Sequence, residues 1–201
     1  MIKSVEKKYF VHESSYIDEP CNIGQGTKIW HFSHVMRGAV IGDRCNIGQN
    51  VVISSDVVIG NNVKIQNNVS IYTGVVLEDD VFCGPSMVFT NVATPRSHVP
   101  RNDPQKDYLP TCVKKGAALG ANCTVVCGNT IGEYAFVGAG AVVTHDIPSH
   151  AIVYGNPARV KGWACECGVK LTEAGAGIWV CHVCGDRYEQ VSTGLEKMGG
   201  D

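Results

Sequence analysis

From residue 17 to residue 89 an apolar side chain returns at every sixth position without a gap: Ile17, Ile23, Ile29, Val35, Ile41, Ile47, Ile53, Ile59, Ile65, Ile71, Leu77, Cys83 and Phe89. Four residues after these stands a second column, Cys21, Thr27, Ser33, Ala39, Cys45, Val51, Val57, Val63, Val69, Val75, Val81 and Met87, small or β-branched in all but the last. Two inward positions in every six is the alternation of a short strand interrupted by a turn. Glycines directly after the apolar position (Gly24, Gly42, Gly48, Gly60, Gly84), with neighbouring Asn and Asp, suit the corners. Three such strands close a coil of eighteen residues, and coils stack at roughly 4.8 Å, the spacing of paired strands. The pattern therefore predicts an all-β fold, a parallel β-helix of hexapeptide repeats.

The register breaks after Asn91, where Pro95, Pro100, Pro104 and Pro110 interrupt a stretch with no inward column, so residues from about 92 to 112 are expected to leave the coil as an excursion loop. It resumes at Val113, Leu119, Val125, Ile131, Val137 and Val143. Asn129 puts an amide where the small column expects an apolar group, which calls for an internal hydrogen bond or a bulge. The proline-containing segment after Asp146 is expected to end and cap the helix, whose last strand edges would otherwise be free to pair. The division expected is a β-helix domain over 1–163, a small module over 164–190, and a flexible tail over 191–201.

Composition narrows the classes. Seventeen Lys and Arg against nineteen Asp and Glu give a formal charge of −2, which offers no general attraction for nucleic acid. No stretch is apolar enough to insert in a membrane, and MIKSVEKKYF lacks the apolar core of an export signal, so a cytoplasmic location is expected. Ten cysteines in a chain of 201 residues read as reduced thiols and a metal site rather than a disulfide scaffold. Within the module, Cys165 and Cys167 precede Gly168, and Cys181 and Cys184 precede Gly185. Two such pairs around a hairpin-sized segment predict a zinc-ribbon-like module with a closed, structural zinc site; His182 is an alternative ligand.

Stacking by eighteen aligns His31, Gln49 and Asn67 in one outward ladder, and Phe32, Asn50, Asn68 and Ser86 in the next. Neutral amides and histidines in place of Lys and Glu suit a binding wall, although solvated corners are also often polar.

The repeat, the loop after GPSMVFTN and the ending VYGNPARVKGW resemble the left-handed β-helix acyltransferases. That resemblance, not the periodicity, implies the left hand, a homotrimer and acetyl-CoA as donor. IWHFSHVMRGAVIG, NIGQNV and NNVKIQNNVSIYTGVVLEDDVFCGPSMVFTNV are similar to one subgroup of the family. Its members acetylate the 3-amino group of UDP-linked 2-acetamido-3-amino-2,3-dideoxy-glucuronate, on the route to surface polysaccharide such as O-antigen. The loop sequence ATPRSHVPRND departs from that subgroup after the shared Pro-Arg.

A nucleotide-linked uronate needs a few placed cations, for which Lys64 and Arg96 are candidates, with Gln66, Gln49, Asn67 and Asn68 as further acceptor contacts. Acetyl transfer needs alignment, a donor for the developing oxyanion and a route for the amine's proton. The resemblance gives Asn91 the contact to the amine and the departing CoA thiolate the proton. His31 and His34 are alternative bases, and His98 a weaker one. By the same resemblance the pantetheine arm lies along the coils between subunits, where Gly120, Ala121, Gly138 and Ala139 permit close approach, and Arg159 and Lys161 meet phosphates.

Three alternatives stand beside this reading: an N-acetyltransferase for a dTDP-linked 3-amino-3,6-dideoxyhexose, whose acceptor lacks the carboxylate, a γ-carbonic-anhydrase-like enzyme, and a non-catalytic trimeric scaffold.

Overall fold

A computed structural model describes residues 8–199; residues 1–7 of the expected β-helix domain and the last two of the expected tail lie outside it. Among the described residues no helix is long and apolar enough to cross a membrane. The chain winds as a left-handed parallel β-helix with sheets of nine, seven and six strands, followed by a four-stranded antiparallel sheet.

Each coil crosses three faces. Face 1 carries Lys28–Ile29, Asn46–Ile47, Lys64–Ile65, Phe82–Cys83, Ala118–Leu119 and Phe136–Val137, among others. Face 2 carries Tyr16–Ile17, His34–Val35, Val52–Ile53, Ser70–Ile71, Val88–Phe89, Thr124–Val125 and Val142–Val143, and face 3 includes Val40–Ile41, Val58–Ile59, Val75–Leu77 and Thr111–Val113. Strand partners are eighteen residues apart, as in Lys28 opposite Asn46 and Asn46 opposite Lys64. Across the loop the offset doubles, with Phe82 opposite Ala118. The insertion thus preserves the hexapeptide phase, and both inward columns continue into one buried core from Ile29 to Val153.

The corners differ in detail from the sequence expectation. The left-handed backbone conformation falls on the third residue after the apolar position, as in Asn50 (φ 56), Asn62 (φ 53) and Asn68 (φ 61), where Asn and Asp tolerate it. The glycines directly after the apolar position serve the stacking of coils. A Cβ on Gly48 would stand 2.7 Å from the Asn67 Oδ1 and 2.8 Å from the Gln66 carbonyl carbon. Asn129 is satisfied as expected: its Nδ2 donates to the Val126 carbonyl at 2.7 Å.

The helix ends as Ile147 bridges to Ile131, and Ala151–Tyr154 pairs antiparallel with Arg159–Trp163, covering the last edge of face 1. The terminal sheet comprises Thr172–Gly175, Ile178–Val180, Arg187–Val191 and Gly194–Lys197 around Cys165, Leu171, Cys181, Tyr188 and Leu195. Its last strand lies in the segment expected to be a flexible tail. Leu195 is buried, and Gly194 bridges to Ser149 of the β-helix, so residues 191–199 close the module rather than fray.

Candidate active site

Two edges of the prism frame the site. Residues 30–33, 48–51 and 66–69 turn the chain from face 1 to face 2, whereas Asn91 lies between the face 2 strand Val88–Phe89 and the face 3 strand Thr111–Val113. His31, Gln49 and Asn67 therefore line the first edge and Asn91 the second. The chain alone does not bring these residues into one cleft, because successive corners of a three-sided coil point to different sides. The first edge instead joins two groups predicted separately. The column of His31, Gln49 and Asn67 continues upward as Ala121 and Ala139, and Gln66 stands in the column of Gly120 and Gly138.

On the first edge His31 stacks against His12 at 3.6 Å between ring centroids, and Trp30 stacks beyond it. The amides there hold up the corners. Asn67 Oδ1 accepts the backbone N–H of Gln49 at 2.9 Å, and Asn68 Oδ1 accepts from Asn50 Nδ2 at 2.9 Å. The edge between faces 3 and 1 is built the same way, with Asn61 N–H on Asp79 Oδ1 and Asp43 N–H on Asn61 Oδ1. Asn67 and Asn68 thus have a local role that needs no ligand. The small residues pack as tightly: a Cβ on Gly120 would meet the Ala139 nitrogen at 2.5 Å.

His34 projects outward from face 2 and places Nε2 2.8 Å from the Asp18 carboxylate, both side chains half-exposed (39% and 51%). When Nε2–H donates to that carboxylate, Nδ1 is left as the proton acceptor, the orientation a base requires. Asp18 and His12 were not identified from sequence. Their signal is their spacing, sixteen residues before His34 and nineteen before His31, close to one coil.

At the second edge the Asn91 carbonyl accepts the Leu109 N–H at 2.9 Å, and Val92 bridges to Tyr108, closing the base of the loop. Thr90 Oγ1 accepts the N–H of Cys127 on the next coil. The loop encloses a cleft of about 430 Å³ lined by Val92, Arg96, Val99 and Arg101 among others. Arg96 itself is exposed, with Nη1 donating to the Pro95 carbonyl. Lys64 projects from face 1 between Asn46 and Phe82. The two candidate cations therefore stand on different parts of the prism.

Arg159 and Lys161 lie on the exposed capping strand. Arg159 pairs with Tyr154, and Lys161 Nζ sits 6.0 Å from the centre of the Tyr154 ring. Beneath them is a cleft of about 380 Å³ lined by His145, Val153, Ala158 and Arg159, among others.

Comparison with known proteins places this framework. The bacterial transferase hexapeptide (six repeats) pattern matches residues 20–55, and the hexapeptide repeat of succinyl-transferase matches 38–73 and 110–145, either side of the loop. The chain is 48% identical over 188 residues to the dTDP-3-amino-3,6-dideoxy-alpha-D-galactopyranose 3-N-acetyltransferase of Aneurinibacillus thermoaerophilus, covering 94% of both chains. The chain belongs to the hexapeptide-repeat acetyltransferases. Solved acetyltransferases share the coil. One from Vibrio cholerae, crystallised with acetyl coenzyme A, is 25% identical with a TM-score of 0.54, over 63% of this chain and 70% of that one. The GDP-perosamine N-acetyltransferase of Caulobacter crescentus, crystallised with CoA and GDP-perosamine, shares the fold at 23% identity and a TM-score of 0.51. The overlap there is 77% of this chain and 56% of that one. The relative matched along nearly the whole chain acts on a dTDP-linked sugar, not on the UDP-linked uronate that the motifs had suggested.

This acetyltransferase also gathers the four cysteines of its terminal module. The sulfurs of Cys165, Cys167, Cys181 and Cys184 all lie within 4.8 Å of one another, a group that could hold a metal ion. His182 is exposed and outside it. Backbone N–H groups of Cys184, and then of Val183, face the Cys181 sulfur and draw its pKa down to about 6, against the desolvation that opposes them. The tight first pair is accommodated because Gly168 follows it at φ 88, bringing its N–H onto the Cys165 carbonyl at 2.8 Å.

Proposed function

We propose that the enzyme transfers the acetyl group of acetyl-CoA to the 3-amino group of a dTDP-linked 3-amino-3,6-dideoxyhexose, supplying an acylated sugar for surface polysaccharide. The observation that carries this reading is the 48% identity to the dTDP-sugar enzyme across 94% of both chains.

In this mechanism the amine lone pair attacks the thioester carbonyl, forming the C–N bond. The tetrahedral intermediate collapses with loss of CoA thiolate, and the amine's proton passes to that thiolate. Asn91 orients the amine or polarises the acyl oxygen. His34, held by Asp18, is the protein base nearest in kind to the alternative proton route. The pantetheine arm lies along Gly120, Ala121, Gly138 and Ala139, and Arg159 and Lys161 meet the donor's phosphates. Asn91 and this column occupy different edges of one chain, so the working cleft forms between two copies of a homotrimer, the Asn91 edge of one against the first edge of its neighbour.

The deciding experiment measures kcat/KM with acetyl-CoA for a dTDP-linked 3-amino-3,6-dideoxyhexose and for the UDP-linked 3-amino uronate. Preference for the dTDP-sugar by at least tenfold is expected. Preference for the uronate would restore the reading its motifs first suggested, and no turnover of either would sink both. Asn91→Ala is expected to lower kcat/KM by about 10²–10³, the usual cost of removing an oxyanion donor.

A further inference from the structure

The cysteine module plays no part in that chemistry, yet it is built to hold something. Sulfur contacts run between the two knuckles: Cys165 to Cys184 at 3.4 Å, Cys167 to Cys181 at 3.6 Å and Cys184 to Cys167 at 3.9 Å. A disulfide requires about 2.05 Å. With metal–sulfur bonds of about 2.3 Å, the edge of a tetrahedron is about 3.8 Å, close to these three separations, and all four sulfurs lie within 4.8 Å of one another. The hydroxyl of Tyr188, fully buried, accepts the Glu166 N–H at 3.1 Å and shares a second hydrogen bond with Cys165 Sγ at 3.2 Å, which ties that sulfur to the module core. Lys197 Nζ bridges Asp186 at 2.8 Å and Glu166 at 3.1 Å, placing a cation beside the sulfurs and tying the last strand across both knuckles.

We propose that Cys165, Cys167, Cys181 and Cys184 hold one zinc ion that locks the terminal module onto the last coil, with Tyr188 as the positioning residue for Cys165. Four thiolates leave no open position, so the ion is structural. The module needs it: residues 164–199 number fewer than the roughly 40 below which a domain rarely stands on its own core, and its core is five buried side chains. The lock also reaches the capping strand. Arg159–Trp163 ends two residues before Cys165, the Ala164 N–H donates to the His150 carbonyl at 2.7 Å, and the Leu171 N–H donates to that of Trp163 at 2.8 Å. Resting on the donor-site reading above, the ion thereby fixes the strand bearing Arg159 and Lys161.

The test uses the full-length enzyme purified without a metal-affinity tag. Elemental analysis is expected to give one zinc per chain and Cys181→Ser to lose it; absence of metal, or iron in its place, overturns the assignment. Removal of zinc by a chelator is expected to accelerate amide exchange at least tenfold in 159–164 and 172–197 while the coils from 28 to 143 keep their protection. Unchanged exchange overturns the lock. Tyr188→Phe is expected to keep the fold and weaken zinc affinity about 10–100-fold in chelator competition; unchanged affinity removes Tyr188 from the site. In steady-state assays the zinc-free enzyme should show a raised KM for acetyl-CoA with a smaller change in kcat. Loosened exchange with an unchanged KM would overturn the donor role of Arg159 and Lys161 and leave the metal site standing.

Discussion

Asn129 occupies a position that other coils fill with a small or apolar side chain, and its amide is tolerated because a carbonyl lies 2.7 Å away. Replacing it by Asp would turn a donor into an acceptor facing that carbonyl. Asn129→Asp is expected to cost about 1–3 kcal/mol through an unsatisfied buried group, read as a lowered denaturation midpoint. Gly120 is constrained by space rather than by its dihedrals, since a Cβ there meets the backbone of the next coil at 2.5 Å. Gly120→Ala is therefore expected to destabilise by about 3 kcal/mol, the upper end of overpacking costs. At Asn67 the requirement for an amide was visible in the sequence but its partner was not. Which of two stacked groups receives the hydrogen bond depends on the corner geometry, and Asn67 Oδ1 turns to the Gln49 N–H. Asn67→Ala should lower stability by about 1 kcal/mol, the typical net worth of one hydrogen bond. A loss of turnover far beyond that loss of folded enzyme would mark a substrate contact as well.

The coil strands were legible because two columns repeat every six residues and each strand is only two or three residues long. The closing strand Gly194–Lys197 was not legible. Four residues with two charges carry no periodic signal, and the strand exists because Leu195 fills the module core and Gly194 bridges to Ser149. Leu195→Ala is expected to cost about 2–5 kcal/mol, the usual range for emptying a buried leucine site, and to open the terminal sheet in amide exchange before the coils. His150 anchors the same junction. It is buried between Tyr134 and Tyr188, its Nδ1 donating to the Ala164 carbonyl at 2.9 Å. Burial pushes its pKa below the ordinary 6.5, partly offset by that hydrogen bond. The unfolded chain therefore binds this proton more readily than the folded one, so the stabilisation is complete above about pH 6.5 and is lost as pH falls through the depressed value. Thermal midpoints of the wild type should drop between about pH 7.5 and about pH 5, and His150→Asn should flatten that part of the profile.

For the whole molecule the separation of the two edges has the largest consequence. Sizing by light scattering is expected to give a trimer, and a fully active monomer would remove the shared cleft on which the proposed mechanism depends. Periodicity alone settled the stack of three-sided coils, the exit of the loop and the inward columns, because each coil repeats the same short-range contacts eighteen residues away. Residue type and pair spacing, rather than the period, singled out the four cysteines, because those two carry ligand chemistry. The partner of His34, the run of His31, Gln49, Asn67, Ala121 and Ala139 along one edge, the place of Asn91 on another edge, and the docking of the last strand were decided by tertiary structure. Each depends on which way a corner points or on what packs beyond one coil, and a six-residue period repeats identically on every face without recording either.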